Sequence, residues 1–348
     1  MNANYVLSNN LTIDNSTEFS PIGLNGETIE SFTGSLSGIA QYLSSGGTDV
    51  STSRYQITLN LSTYVEDGEN YYSALFARIG EGGYIRDLDI NVSFDTANIS
   101  ALASDGSLNI GAIAGVNDGV ITGVNVYINS TNTSNVVFAS SNIQNVEINF
   151  GAVVGINNGN IDLTTSNVIF SSRLRINSSS SSNHNIGAVA GTNNGAIFGA
   201  YSGKADLNSI SYTIIADITI TNTSTASVGS NYYVGGVAGL NTGTINDIIL
   251  GGRLYITNGS DVNVASALGY IAGVAGQSVS SQGNVAYSNT IDNIALLGLD
   301  ISAINTGLDV AGVVGNSSYT NISEVRFMSA NVTFSNALSA NGSLSGDN

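Results

Sequence analysis

Carboxylates are the most abundant ionisable groups in this chain: 25 Asp and Glu stand against 16 Tyr, 8 Lys and Arg, one His and no Cys. That inventory limits the chemistry. Without Cys there is no thiolate nucleophile, no thiolate metal site and no disulfide framework. A single imidazole cannot form a multi-histidine metal centre, and the His-based triad also lacks a candidate partner set. Carboxylates alone can cleave a glycosidic bond as a facing pair or hold calcium. Two clusters have that potential, Glu66-Asp67-Gly68-Glu69 and the alternating Asp87, Asp89 and Asn91. Asp67 and Glu69 read first as an exposed turn and second as a calcium loop. Asp87 and Asp89 alternate with Leu88 and Ile90, which puts them on the solvated face of a strand. These four acids are the metal candidates; calcium is the ion to consider, and no other cofactor is expected. Arg86 sits beside Asp87 but has no His or Lys partner. His184, in the Ser/Asn-rich stretch 178–185, reads as a solvated loop residue.

Any such groups must be positioned by the elements around them, and those elements repeat. A block of the form apolar–Gly–small–apolar–small–Gly, followed by Asn-x-Gly, runs from Ile110 to Gly119. It recurs from Phe150 to Gly159, Ile186 to Gly195 and Val234 to Gly243. Degenerate copies lie at 271–276 and 310–315, and an earlier relative at 72–80. The last Gly of each block falls at 80, 115, 155, 191, 239, 276 and 315, so the spacings are 35, 40, 36, 48, 37 and 39. Alternating stretches follow the blocks, as in Ile85, Leu88, Ile90, Val92 and Phe94, which is strand periodicity with one face buried.

A unit of two or three short strands cannot bury its apolar face alone, so neighbours must stack. The expected fold is all-β: a right-handed parallel β-helix (β-solenoid) of about seven coils with an N-terminal lead-in and cap. Residues 1–70 read as that lead-in, 71–335 as the repeats and 336–348 as a polar tail or linker. The glycines at Gly115, Gly155, Gly191, Gly239, Gly276 and Gly315 read as corners where one coil approaches the next. Asn117, Asn157, Asn193 and Asn241 share one offset and would stack as an asparagine ladder. A β-propeller is the competing fold, because its blades have a similar period.

The repeat resembles the GLUG-motif family of secreted and surface β-helix proteins, on Gly235-Gly236-Val237-Ala238-Gly239-Leu240-Asn241-Thr242-Gly243-Thr244-Ile245. The lead-in is similar too, in Ser20-Pro21-Ile22-Gly23 and in Phe32-Thr33-Gly34-Ser35-Leu36-Ser37-Gly38. The two last blocks depart from the pattern by losing Asn-x-Gly. The resemblance implies a right-handed parallel β-helix of the kind found in secreted, adhesin-like proteins; it does not specify a ligand.

Charge narrows the partners. At −17 the chain cannot neutralise a run of phosphates, which argues against nucleic acid. No window approaches ~18 apolar residues, so no helical membrane insertion is expected. The sequence therefore reads as a non-enzymatic structural or adhesive module of an extracellular or cell-surface protein. One alternative is a self-assembling subunit of a filament or sheath, and another is a carbohydrate-binding or carbohydrate-active β-helix. Expected partners are other copies or neighbouring domains end to end, and a surface glycan or protein. Tyrosines such as Tyr71, Tyr72, Tyr84, Tyr201, Tyr212, Tyr232 and Tyr233 divide between core packing and a contact surface.

Overall fold

The alternating stretches form strands that pair in parallel, one repeat apart. The computed structural model describes residues 2–13, 20–25, 28–39, 54–61, 65–67, 70–93, 106–129, 136–139, 146–177, 182–203, 211–223, 230–258, 267–280, 289–304, 306–328 and 331–335. The tail expected at 336–348 lies outside them, as do Glu69 and Phe94. Among the described residues there is no helix. Three stacked sheets of 17, 8 and 7 strands carry the chain.

One repeat shows the path. Gly106–Ile110 lies in the 8-stranded sheet and Ala114–Asn117 in the 7-stranded sheet. Val120–Thr122 and Asn125–Asn129 then enter the large sheet. The chain bends between these last two strands at Gly123, where φ is +62°. Asp87, Asp247, Asn293 and Glu324 occupy the matching bend in other repeats, also with positive φ. Short polar residues tolerate that left-handed region and Gly is free in it, so the bend recurs without Pro. It also explains why Ile85 and Leu88 stand three apart in an otherwise two-residue alternation.

Parallel pairing in register stacks like on like. One interior row of the large sheet runs Tyr5, Leu36, Ile85, Ile121, Ile161, Ile197, Ile245, Ile291, Ile322. A second runs Leu11, Ile57, Ile90, Val126, Val168, Ile214, Leu250, Leu296, Phe327. Every inner member of both rows is buried, and the rows belong to one continuous aliphatic core. This register excludes the propeller. Among the described residues antiparallel pairing is confined to two short hairpins, Leu24–Asn25 with Thr28–Ile29 and Val65–Asp67 with Asn70–Ser73.

The polar rows obey the same register. Asn117 donates its amide to Asn157 at 2.8 Å, Asn157 to Asn193 at 2.8 Å, and Asn193 to Asn241 at 2.8 Å. Each of the four is fully buried. Asn241 donates onward to the Ser278 hydroxyl at 3.1 Å. The residue that follows each Asn makes a second row outside: Asn158 donates to Asp118, Asn194 to Asn158, and Thr242 to Asn194. Arg78 pairs with the Asp118 carboxylate at 2.6 Å.

Gly115, Gly155, Gly191, Gly239, Gly276 and Gly315 lie inside the short strands of the third sheet, not at the turns between strands. A Cβ on Gly191 would stand 2.4 Å from the backbone nitrogen of Phe150, one repeat back. Close approach, with no positive φ, is what reserves such positions for Gly.

Removing one buried amide strands its neighbours in the core, whereas the outer row can turn to water. Asn157→Ala is expected to cost about 1–3 kcal/mol and Asn158→Ala within about 0.5 kcal/mol. Urea denaturation of the two variants side by side checks this; equal costs would deny the buried row its structural role.

Candidate functional site

The longest repeat spacing, the 48 residues between Gly191 and Gly239, locates an irregularity in the stack. After the strand Ala196–Phe198 the next described strand of the large sheet is Ile214–Asn222. In the repeat before, residues 163–167 make a smaller excursion between Asn160–Asp162 and Val168–Asn177. The two excursions wall a cavity of about 440 Å³. That is within the range that holds a small ligand.

Hydroxyl-bearing residues line the cavity from both excursions, Thr164, Thr165 and Ser166 from one and Ser202, Ser211 and Thr213 from the other, with Asn167 among them. Tyr212 supplies a partly exposed aromatic ring, Tyr201 is buried in the wall, and Leu163, Ala200 and Ile249 complete the lining. Such a surface offers hydrogen bonds to a polyhydroxylated or amide-bearing ligand and one ring for stacking.

The walls are anchored to the sheet. Tyr201 is buried against Ile249 and Ala295, with Tyr212 and Leu297 packed on them. Asn293, at one of the left-handed bends, donates to the Tyr201 carbonyl at 2.6 Å and to Asp247 at 2.7 Å. Arg326 donates to the Tyr201 hydroxyl at 3.3 Å and to the Gly203 carbonyl. On the facing wall Asp162 accepts from the Thr164 amide at 2.9 Å and its hydroxyl at 2.6 Å. Asn125 accepts from the Asn167 amide at 3.0 Å, and Arg54 donates to the Thr165 carbonyl at 3.2 Å. Rigid elements thus hold a loop-built cleft.

Of the four acidic candidates, Asp89 reaches this neighbourhood. Its carboxylate accepts from Asn125 at 2.8 Å and lies 3.9 Å from the Arg54 guanidinium, so it braces the same wall. Asp87 is half-buried at the bend. It does not continue an outward strand face, because the bend separates Tyr84–Arg86 from Asp89–Ser93. Asp67 closes the strand Val65–Asp67. Among the described residues no three His, Asp or Glu side chains lie close enough together to hold a metal ion. The chain matches no family model, no curated protein and no solved structure.

A second buried polar row escaped the sequence reading. Where the 8-stranded and 7-stranded sheets face each other, Asn185 donates to Asn149 at 2.9 Å and Asn149 to Asn109 at 3.1 Å. Thr192 reaches across to Asn149 at 2.7 Å. The signal was present: each of these Asn precedes the first apolar residue of its block. In the next repeats Tyr233 and Tyr270 take that position and stack at 6.2 Å. Burial raises the pKa of Glu147 even though Asn185 and Asn149 donate to its carboxylate. Tyr71, Tyr72, Tyr201 and Tyr232 are core residues, while Tyr84 stays exposed.

His184 overturns its reading as a solvated loop residue. It lies in the strand Asn183–Gly187, on the interior row between Ile148 and Tyr232, and is fully buried. Strand alternation extends into the Ser/Asn-rich stretch and turns the imidazole inward. Its ring contacts Tyr232 at 4.9 Å, and neither ring nitrogen has a hydrogen-bond partner. Burial holds its pKa down at about 3, against an ordinary 6.5. The unfolded chain takes up this proton near pH 6.5 and the folded chain only near pH 3, so stability falls as pH drops through that window and is unaffected above it. The loss amounts to at most about 1.4 kcal/mol per pH unit. His184→Phe keeps an aromatic ring against Tyr232 and removes the proton. Its stability relative to wild type, from urea denaturation, is expected to rise steadily between about pH 6 and about pH 4. A constant difference would mean that the imidazole is solvated or paired.

Proposed function

We propose that this chain is a non-enzymatic structural and adhesive module of an extracellular or cell-surface protein, and that it takes a glycan at the cleft lined by residues 163–167, 200–202 and 211–213. We read its stack as a right-handed parallel β-helix of about seven coils behind an N-terminal cap, of the GLUG-motif type. The observation that carries the function is the excursion itself. A chain that repeats one geometry along its length departs from it beside Ile249 to build a recess of hydroxyls with the partly exposed ring of Tyr212. Loops raised on a rigid scaffold are where binding residues concentrate.

The chemistry of that lining favours holding a ligand over transforming one. Hydroxyls, an amide and a phenol ring donate, accept and stack, and sugars present both hydroxyls and apolar ring faces to such groups. The surplus of carboxylates and the near-absence of Lys suit an exposed surface protein, which the net charge of −17 keeps soluble.

Tyr212 is half-buried and borders the recess without belonging to the main core, so it is the residue to remove. The chain is expected to retain one class of oligosaccharide from an immobilised glycan panel. Tyr212→Ala should weaken that binding about tenfold, or ~1.4 kcal/mol, by calorimetry. Depolymerisation of any panel member by the wild-type chain would overturn the non-enzymatic reading. Binding that Tyr212→Ala leaves intact would overturn the assignment of the cleft.

A further inference from the structure

The two interior rows of the large sheet are buried along their length and exposed where they run out. At one end of the sheet Tyr5 and Leu11 are 51% and 43% exposed; at the other Ile322 and Phe327 are 38% and 53% exposed. Tyr5 and Ile322 terminate the same row, and Leu11 and Phe327 terminate the other. Both ends are therefore apolar at matching positions of the cross-section.

Their backbones are open in the same sense. Asn4–Val6 and Leu11–Ile13 each pair on one side only, as does Thr320–Met328 at the far end. All of these pairings are parallel. Among the described residues nothing covers the outer side of these strands. The neighbouring sheet behaves differently at the same N-terminal end, because the antiparallel strand Val65–Asp67 covers its edge. An unpaired, flat, apolar strand edge is a template for another strand.

We propose that copies of this chain stack head to tail through the large sheet, Thr320–Met328 of one copy pairing in parallel with Asn4–Val6 and Leu11–Ile13 of the next. In that register Ile322 of the first copy meets Tyr5 of the second, and Phe327 meets Leu11, so both interior rows continue across the junction. The contact joins two different surfaces, and stacking along the axis does not close, so it generates open linear series. A second copy fits both rows and the strand direction at once. Acidic copies repel one another, so assembly strengthens as salt screens the charge.

Sedimentation velocity and negative-stain electron microscopy of the full chain test this with two charge substitutions, Leu11→Lys and Phe327→Lys. Wild type is expected to form concentration-dependent linear series that lengthen with salt. Each variant alone should associate at least about tenfold more weakly, with circular dichroism confirming the native fold. An equimolar mixture of the two should give dimers and nothing longer, because each supplies the intact end that the other lacks. Tyr5→Lys and Ile322→Lys form a second pair should either first variant fail to fold. A wild-type chain that stays monomeric at every concentration would overturn the proposal. So would dimers formed by either variant alone, which require like ends to meet, or series that neither substitution shortens, which place the contact elsewhere.

Discussion

Everything in this molecule depends on a parallel register that does not slip. A side chain of one repeat meets the side chain at the same offset of the next, so a favourable pairing is repeated along the axis and an unfavourable one would be too. Aliphatic rows tolerate exchange among Ile, Leu, Val and Phe. The buried asparagine row does not, because an amide satisfied by a copy of itself leaves an orphan wherever the register shifts by one residue. Asn117, Asn157, Asn193 and Asn241 therefore act as an index. The close-packed glycines act alongside it: a Cβ on Gly239 would collide with the Ile186 nitrogen at 2.3 Å.

Much of this was legible in the residues. The Gly and Asn offsets are visible because each position is constrained by one identical neighbour, and the two-residue alternation reports which face is inward. Stacked parallel strands followed. What was less legible depends on context. The left-handed bend carries Asp87, Gly123, Asp247, Asn293 or Glu324 in different repeats, so no single letter marks it. His184 stands among serines and asparagines, and composition argued for solvent while strand phase put it inside. The row through Asn109, Asn149 and Asn185 leaves a weaker trace, because its members stand just outside the recurring block and give way to Tyr233 and Tyr270 in the next repeats.

The candidate cleft was legible only as a number. Its lining residues are ordinary Ser, Thr and Tyr with no motif of their own. The irregular spacing of 48 residues marked where the stack gives up its regularity. Bracing of the cleft could not be read from the chain at all. Asn293 and Arg326 act on Tyr201 across separations of 92 and 125 residues, distances that only the stacking of later repeats brings together.

The asparagine row also has a direction. It gives way to Ser278, which accepts from Asn241 and in turn takes a hydrogen bond from Thr320. Hydroxyls replace paired amides there, and the blocks around Gly276 and Gly315 have already lost Asn-x-Gly. On the other side the row stops as well, where Asn117 stands in register with Ile79. The amide links therefore index only the four middle repeats, and the coils at either end are held in register by aliphatic rows and hydroxyls.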